Sequence, residues 1–500
     1  MIISYDLGTG GNKASLFDND GSKIISVFEA YPTFYPAPNF HEQRPEDWMH
    51  AVVQSTRRLL REAKNRHITA DDITALAISG HSLGCVPLDK NGSVLRDTTP
   101  IWSDRRSSKE AETFFQNVNA DDWYSATGNG FPAAHYTLFK VLWYKNNEPA
   151  IFAETDKIIG TKDYINYRLT GKIAADYSYA SGLGAYRLTE WQYDEDWIRL
   201  AGLPPELFPK IVPSTQIIGT LTPPAADELG LSPKTAVAAG GVDNSCMALG
   251  AGCFQDGQLY ASLGSSSWIA VADSKPLLDV RLKPYVFTHV VPQQFASALA
   301  LFSSGTSLRW IRDQLCRDLC GRAEKEGVDV YDLMIAEAET SVSGANGVLF
   351  NPTLGGGSAL DPGPNIRGAF LALDLSHTRG DLIRAAMEGI AMNLRLVLDA
   401  VRKLTAVQKR MNVVGGGAIS PLWRQIYADA LQIEIAKTNI GQDAAALGAA
   451  ALAAVGTGIW TDFANIARVL QTEDVKVPQT DYSHRLAQFS RDAAYLAERG

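Results

Sequence analysis

Residues 2–13 read IISYDLGTGGNK, and this stretch decides the fold. Its apolar first half predicts a buried strand, and its glycines predict a tight turn that opens a hairpin. Two more apolar runs, one amphipathic run and a last apolar run follow it, separated by turn residues. The predicted order is strand, strand, strand, helix and strand, at Ile2 to Leu7, Ala14 to Phe17, Lys23 to Phe28, Glu46 to Ala63 and Ile73 to Ser79.

A similar order starts again past the middle of the chain. It contains three predicted strands, a long amphipathic helix and a further buried strand, at Gln258 to Leu263, Trp268 to Ala272, Phe295 to Phe302, Asp381 to Leu404 and Arg410 to Val414. A duplicated α/β domain with a cleft between the two copies is the simplest interpretation. We place the two domains at residues 1–245 and 246–500.

Composition excludes several classes of protein. The chain has 500 residues and a formal net charge of -9 at pH 7, so it lacks the basic field of a nucleic-acid binder. No apolar run reaches the ~20 residues that cross a bilayer, and the N-terminus lacks the basic segment of a signal peptide. The five cysteines show no CxxC spacing. These features predict a cytoplasmic protein without a membrane partner.

The first candidate site is the turn from Gly8 to Lys13, called here the first glycine turn. Backbone N–H groups at Gly8, the Thr9 hydroxyl and the Lys13 ammonium could bind phosphate oxygens. Asp6, at the end of the preceding strand, could hold a hydrated divalent metal ion. A tight hairpin turn without a ligand is the alternative interpretation.

A second small-residue turn lies in the other half of the chain. Gly264, Ser265 and Ser266, called here the second glycine turn, follow a predicted strand and offer similar phosphate donors. Gly305 lies in a comparable Ser-Ser-Gly-Thr segment. Two such turns, facing each other across a cleft, would hold a triphosphate from both sides.

A single carboxylate at a predicted strand end is the candidate base. Asp243 and Asn244 follow a Val/Ala-rich strand and a glycine pair. A carboxylate there could accept the proton of an attacking hydroxyl group. Asp243 could instead cap a helix from Ser245 to Gly250, because Asp is a common N-cap residue.

Another glycine-rich segment suits a nucleotide base. Gly415, Gly416 and Gly417, called here the glycine run, precede Ala418 between a predicted strand and a predicted helix. Such a run lets a purine pack flat against the backbone. A loop that only allows close packing of strand and helix is equally compatible with the pattern.

Two polar segments beside a tryptophan suit a sugar. The histidine loop, Gly80 to Leu83, contains His81 and Ser82, and the tryptophan segment, Trp102 to Arg105, contains Asp104. Sugars need hydrogen bonds to their hydroxyl groups and an apolar surface for their carbon atoms. A surface loop and a core tryptophan would give the same pattern.

The histidine loop also matches the G-x-S-x-G nucleophile elbow of serine hydrolases through Gly80-His81-Ser82-Leu83-Gly84. An elbow must lead directly into a helix. Pro87 and the turn residues Asp89 to Gly92 follow instead, which argues against a hydrolase.

Together these motifs resemble those of the FGGY carbohydrate kinases, in the right order over essentially the whole chain. Residues 137–143, TLFKVLW, resemble one signature region of that family, and residues 368–373 followed by 381–388 resemble a second. The resemblance implies an α/β fold of two actin/hexokinase-like (ribonuclease H-like) ATPase domains with an interdomain cleft. Residues 1–245 would bind the sugar and carry the first phosphate motif, and residues 246–500 would bind the nucleotide.

The resemblance also implies roles for the candidate residues. Asp243 would be the catalytic base, and Asp6 would support catalysis as the Mg²⁺ ligand. ATP would bind at Gly8, Thr9, Lys13, Gly264, Ser265, Ser266, Gly305, Gly415, Gly416, Gly417 and Ala418. The sugar would bind at Gly80, His81, Ser82, Leu83, Trp102, Asp104, Asp243 and Asn244.

Within the family the chain is xylulokinase-like, although Ser82-Leu83 stand where xylulokinases commonly have Met-His. The expected activity is ATP- and Mg²⁺-dependent phosphorylation of a small open-chain sugar or polyol, such as D-xylulose or a related ketose. An actin-like ATPase, a sugar-sensing protein without efficient transfer and, against its context, a serine hydrolase stay open. A homodimer is compatible with the sequence, which does not determine the oligomeric state.

Overall fold

The computed structural model describes residues 1–358 and 360–499, and it divides into two compact units. The first unit consists of Met1–Asp256, Ala272–Ser297 and Asp443–Leu470. The second consists of Gly257–Val271, Ala298–Gln442 and Gln471–Gly500. Each unit has its own α/β sheet, so the predicted pair of α/β domains is confirmed. The boundary after residue 245 stays a prediction.

The main sheet of the first unit begins with the hairpin that the opening residues predict. Its strands are, in spatial order, Ile217–Thr220, Ala236–Ala238, Ala75–Gly80, Ile2–Gly8, Gly11–Phe17 and Lys23–Ala30, and Gly241–Val242 also pairs with Ala75–Gly80. The strand Ile2–Gly8 is antiparallel to Gly11–Phe17 and parallel to Ala75–Gly80. Because a parallel neighbour flanks each side of Ala75–Gly80, several strands end at one edge.

The helix Pro45–Lys64 covers one face of this sheet. Proline suits its first turn because the ring fixes a helical φ and the missing N–H would have no partner there. Trp48, Val52 and Leu59 recur at helical spacing and are fully buried. Burying each such side chain contributes about 1.5–3 kcal/mol, which explains why this amphipathic pattern determines a helix.

The rest of the first unit supplies shorter elements around the sheet. The α-helices are Ser108–Phe114, Ala120–Thr127, Thr137–Asn147, Pro149–Glu154, Thr161–Thr170, Tyr177–Ala180, Glu195–Leu200, Pro223–Leu229, Asp243–Gly250, Ala444–Gly456 and Ile466–Val469. The short strands are Glu42–Gln43, Val86–Leu88, Thr99–Pro100, Lys157–Ile159, Ala175–Asp176, Tyr186–Arg187, Gln192–Tyr193, Ile211–Val212 and Tyr285–Thr288.

The main sheet of the second unit contains, in order, Phe295–Leu301, Ser267–Asp273, Leu259–Leu263, Arg410–Val414, Glu434–Thr438 and Thr472–Lys476. The long helix Arg379–Leu404 lies where Asp381 to Leu404 was predicted. Thr378 and Asp381 form a capping box at its start, which satisfies backbone N–H groups that have no partner within the helix. Remaining elements are Gly305–Leu315, Arg317–Glu326, Val330–Glu339, Pro421–Leu431, Ser483–Ala497, Leu349–Asn351 and Ala369–Leu371.

Within residues 1–358 and 360–499, no helix combines the length and the apolar character needed to cross a membrane. All five cysteines are free thiols, and four of them are buried.

Candidate functional site

Three parallel strands of the first unit end side by side at one edge of its sheet. Asp6 and Gly241 both pair with Ser79, one from each side of the central strand. Residues that follow parallel strands in register emerge at the same edge. The first glycine turn, the histidine loop and Asp243 therefore come together, although they are far apart in the sequence.

Asp6 provides one of the two carboxylates at this edge. Loss of solvation raises the pKa of Asp6, while the positive charge of Lys13 acts in the opposite direction. Ser79 Oγ donates a hydrogen bond of 3.3 Å to Asp6 Oδ1. Such a carboxylate fits Mg²⁺, which binds one or two protein carboxylates and fills its other positions with water and phosphate oxygens. In the described part of the chain, no cluster of three or more His, Cys, Asp or Glu side chains is placed to hold a metal.

Asp243 provides the second carboxylate, and the structure corrects the capping alternative. Asp243 is the first residue of the helix Asp243–Gly250, and Val242 occupies the N-cap position. The helix thus begins two residues before the predicted Ser245, and Asp243 does not cap it. Its side chain is partly accessible, and Oδ1 accepts a hydrogen bond of 2.8 Å from the backbone N–H of Asn244.

The surroundings of Asp243 change its acidity. Desolvation by the surrounding protein is the main cause that raises its pKa to about 7, and the negative charge of Asp6 adds to the shift. Desolvation and the nearby negative charge both destabilise the ionised form of Asp243. Its carboxylate is therefore more basic than that of an ordinary aspartate. A carboxylate with a pKa near 7 can accept a proton from a hydroxyl group at neutral pH.

A buried polar network holds the backbone just before Asp243. The backbone N–H of Val242 donates to Ser178 Oγ at 2.9 Å, and Ser178 itself bonds to Asp176. Asp176 also accepts from Ser214 Oγ at 2.7 Å and pairs with Lys162 at 2.9 Å. Sequence reasoning missed this network, because its members lie in separate segments without a shared motif.

The first glycine turn contacts the tryptophan segment directly. Trp102 Nε1 donates a hydrogen bond of 2.8 Å to Thr9 Oγ1. Gln43 Nε2 donates to the backbone carbonyl of Thr9 at 2.7 Å, and Tyr31 donates its hydroxyl to the carbonyl of Gly8. Three side chains therefore donate hydrogen bonds to the turn. The bond from Trp102 connects the candidate phosphate-binding turn to the candidate sugar-binding segment.

Lys13 lies beside a carboxylate that sequence reasoning did not identify. Lys13 Nζ is 3.4 Å from Asp443 Oδ1, and Lys23 pairs with the other oxygen of Asp443. Asp443 is 430 positions away from Lys13 in the chain, so no local pattern links them. It directly precedes the helix Ala444–Gly456, which packs against the helix that begins at Asp243.

The histidine loop carries a buried imidazole with an unused nitrogen. His81 is 1% exposed, and its Nε2 has no hydrogen-bond partner in the described part of the chain. Burial lowers the pKa of His81 to about 4, so the ring is neutral at pH 7. A neutral imidazole can donate to or accept from a hydroxyl group of a ligand.

The serine hydrolase interpretation is wrong. No helix follows Ser82: the chain continues through Leu83, in a left-handed conformation with φ of 60°, into the strand Val86–Leu88. An elbow would place the serine at a strand-to-helix turn.

Asp104 is a fully buried residue of the tryptophan segment. Its oxygens accept hydrogen bonds from the backbone N–H of His41 at 2.7 Å and from the Arg106 guanidinium at 2.8 Å. Arg106 also pairs with Glu42 at 2.6 Å. Asp104 is thus committed to protein groups in this structure, and its contact with a sugar stays a prediction.

The second unit contains a cavity of about 590 Å³ beside its strand ends. The cavity is of the size that binds small molecules and cofactors. Its lining includes Gly264 and Ser265 of the second glycine turn, Gly416 and Gly417 of the glycine run, Gly305, and the stacked rings of Trp423 and Tyr427. Five of the residues predicted to bind the nucleotide therefore line one cavity, Gly264, Ser265, Gly305, Gly416 and Gly417, whereas Ser266, Gly415 and Ala418 are not in its lining.

Close backbone contacts explain Gly305, which lines this cavity, and Gly415, which precedes two of its lining residues. The N–H of Gly305 donates to the carbonyl of Gly264 at 3.1 Å, and a Cβ atom on Gly305 would lie only 2.3 Å from that oxygen. Gly415 has a φ of 93°, and a Cβ there would lie 2.7 Å from the carbonyl of Leu263. Larger residues would push the three segments apart.

Comparison with known proteins decides the family. The model of the FGGY family of carbohydrate kinases, N-terminal domain, matches residues 1–250, and the model of its C-terminal domain matches residues 259–457. The chain belongs to the FGGY family of carbohydrate kinases. It is therefore a sugar kinase with ATP as the phosphoryl donor, and the family resemblance found in the sequence is confirmed.

The relatives that this chain resembles differ from one another in the substrate that their names give. The xylulose kinase of Bacillus subtilis (strain 168) is 30% identical over 457 residues, which are 91% of this chain and 88% of that protein. The gluconokinase of the same strain is 30% identical over 461 residues, with the same coverage of 91% and 88%. The crystal structure of xylulose kinase from Rhodospirillum rubrum has a TM-score of 0.87 at 26% identity, covering 99% of this chain and 98% of that one.

Proposed function

We propose that this kinase transfers the γ-phosphoryl group of ATP to a hydroxyl group of a small open-chain sugar or polyol, D-xylulose or a related ketose. The observation that carries the proposal is the state of Asp243. Its side chain is partly accessible, its pKa is about 7, and it starts a helix at the edge where the first glycine turn and the histidine loop also begin.

In the proposed reaction Asp243 accepts the proton of the attacking sugar hydroxyl. The hydroxyl oxygen forms a bond to the γ-phosphorus, the bond from that phosphorus to the bridging β–γ oxygen breaks, and ADP leaves with the electron pair. A carboxylate that is ionised yet basic suits this step better than an ordinary aspartate with a pKa near 4.

The first glycine turn is proposed to bind phosphate oxygens through Gly8, Thr9 and Lys13. Asp6 would hold Mg²⁺, and the ion, when bound, neutralises negative charge on the phosphate oxygens. The cavity of the second unit is proposed to take the adenosine part of ATP, with the glycine run, including Ala418 next to it, against the base. The second glycine turn and Gly305 would contact phosphate oxygens.

The sugar is proposed to bind at the histidine loop, the tryptophan segment, Asp243 and Asn244. Three buried cations lie near these segments, and all are already committed to protein groups. Lys140 donates to backbone carbonyls, Arg106 pairs with Asp104 and Glu42, and Lys162, beside Gly80, pairs with Asp163 and Asp176. An anionic sugar acid would need a cation of its own. The buried cations therefore favour an uncharged ketose, and the exposed Arg105 of the tryptophan segment, which donates to Asn39 Oδ1 at 3.0 Å, is the cation that an aldonate would have to use.

A screen for sugar-dependent ADP release tests the proposed function. Pentuloses, hexuloses, polyols and aldonates, D-gluconate among them, are each added with ATP and Mg²⁺. We expect a ketose to give the highest kcat/KM and ADP release without sugar to be slow. Fast hydrolysis without sugar would favour the actin-like ATPase, and tight sugar binding without ADP release would favour the sugar sensor.

We also propose a cytoplasmic location, supported by the five free thiols. The homodimer stays a prediction, and the molar mass in solution, measured by light scattering, tests it.

A further inference from the structure

One face of the helix Thr137–Asn147 donates hydrogen bonds to three consecutive backbone carbonyls. Lys140 Nζ bonds to the carbonyl of Leu83 at 2.8 Å, Thr137 Oγ1 to that of Gly84 at 3.2 Å, and Tyr144 OH to that of Cys85 at 3.0 Å. Donors three and four residues apart lie on one side of a helix, so a single helix can serve an extended chain in this way.

Lys140 makes a second contact that the other two donors do not make. Its ammonium also donates to the carbonyl of Ile101 at 2.7 Å. Leu83 is the last residue of the histidine loop, and Ile101 directly precedes the tryptophan segment. One buried side chain, with no exposed surface, therefore bonds to the last residue of the histidine loop and to the residue just before the tryptophan segment.

The histidine loop needs such support at this position. Leu83 has a φ of 60°, a left-handed conformation that strains a residue with a Cβ atom. Its carbonyl is directed at Lys140, and its side chain is 1% exposed. A strained conformation persists only where several contacts determine it, and Lys140 supplies the polar one.

We propose that Lys140 is a positioning residue, which fixes the histidine loop and the tryptophan segment relative to each other and thereby sets the affinity for the sugar. The inference rests on the proposed function, because it needs the sugar to bind at these two segments. An ammonium suits the role: it carries three donors and no acceptor, so it can satisfy two carbonyls at once.

Burial destabilises the protonated, charged form of Lys140. Burial lowers the pKa of Lys140 to about 8, and attraction by Asp104 opposes that shift, whereas Arg106 adds to it. A methionine of similar length would fill the volume, yet it would leave two carbonyls without their donor.

The test compares Lys140→Met with Lys145→Met, a matched lysine on the same helix that donates to the carbonyl of Gly202 at 2.7 Å, away from both segments. For Lys140→Met we expect the KM for the sugar to rise about tenfold or more, because two charge-assisted bonds are lost. The KM for ATP should change less than about twofold. Lys145→Met should leave both KM values near those of the wild type. A folded Lys140→Met with an unchanged sugar KM, or with equal increases in both KM values, overturns the proposal.

Should Lys140→Met fail to fold, Lys140→Gln decides, since its shorter amide keeps the side chain polar but cannot donate to the carbonyls of Leu83 and Ile101 at once as the ammonium does. A sugar KM raised about threefold with an unchanged ATP KM supports the proposal, and an unchanged sugar KM overturns it. His81→Ala separates this inference from the proposed sugar site. If His81→Ala raises the sugar KM and Lys140→Met does not, only the role of Lys140 fails; if His81→Ala has no effect, the assignment of the sugar to this loop fails.

Discussion

Asp6 lies near the end of the strand Ile2–Gly8 and Asp243 follows the strand Gly241–Val242, on opposite sides of Ala75–Gly80, and the charge of Asp6 helps to raise the pKa of Asp243 to about 7. The two carboxylates thus belong to one electrostatic unit, although 237 positions separate them (243 − 6). Environments that push the pKa values of neighbouring acids upward are common where one of them must accept a proton.

Replacing Asp243 by asparagine tests its role as the base. We expect Asp243→Asn to lower kcat by a factor of about 10²–10⁴, the range typical for loss of a general base, while the dissociation constant of ATP changes little. Steady-state ADP release and equilibrium binding measure the two quantities. Asp227→Asn, at an exposed aspartate on the helix Pro223–Leu229, is the control and should keep full activity. Near-normal turnover by Asp243→Asn would refute the assignment.

The pH dependence of the wild type follows from the same carboxylate. A protonated Asp243 cannot accept a proton, so kcat/KM for the sugar should fall tenfold per pH unit as the pH drops below about 7. The profile is measured from pH 5 to pH 8 under conditions in which ATP remains saturated. A flat profile between pH 5 and pH 7 would show that Asp243 is ionised throughout and that its environment does not tune it.

Asp243 should also lower the stability of the fold at neutral pH. Its folded-state pKa is raised, so the folded state binds the proton more tightly than the unfolded chain. The stabilisation from the protonated form is present below about pH 4 and is lost as the pH rises through about 7. Relative to the wild type, Asp243→Asn should therefore gain about 1–3 kcal/mol in free energy of unfolding at pH 8 and little at pH 4.5. Urea unfolding at both pH values measures the difference, and an equal effect at both would contradict the expected linkage.

Much of this fold could be predicted because its signals are local. The strands Ile2–Gly8 and Arg410–Val414 and the helix Pro45–Lys64 have apolar patterns that tolerate few alternatives, and turn residues mark their ends. The second-half glycines could be grouped by type, and Gly264, Gly305, Gly416 and Gly417 line one cavity, whereas Gly415 is not in its lining.

The other features of the fold and the site depend on contacts between residues that are far apart in the sequence. No local sequence pattern indicates such contacts. Asp443 reaches Lys13 across 430 positions, and the bond from Val242 to Ser178 spans 64. The start of the helix at Asp243 was misjudged because Asp is a common N-cap residue, whereas here Val242 takes that position and tertiary packing fixes the helix start. The donors of the helix Thr137–Asn147 were visible in sequence only as a family signature, since their acceptors are backbone carbonyls.

The bond between Trp102 and Thr9 predicts energetic coupling between the tryptophan segment and the first glycine turn. Trp102→Phe and Thr9→Val each remove one partner of the 2.8 Å hydrogen bond from Nε1 to Oγ1. Each single variant should lower kcat/KM for the sugar, and the double variant should lose less than the product of the two effects, because the same bond cannot be lost twice. A coupling of about 0.5–1.5 kcal/mol is expected for a neutral hydrogen bond. Pairing Trp102→Phe with Thr113→Val, whose exposed hydroxyl donates to the carbonyl of Lys109 at 2.9 Å, provides the control cycle and should be nearly additive. Additive effects in the Trp102–Thr9 cycle would mean that the two segments act independently during turnover, even though they touch in the structure.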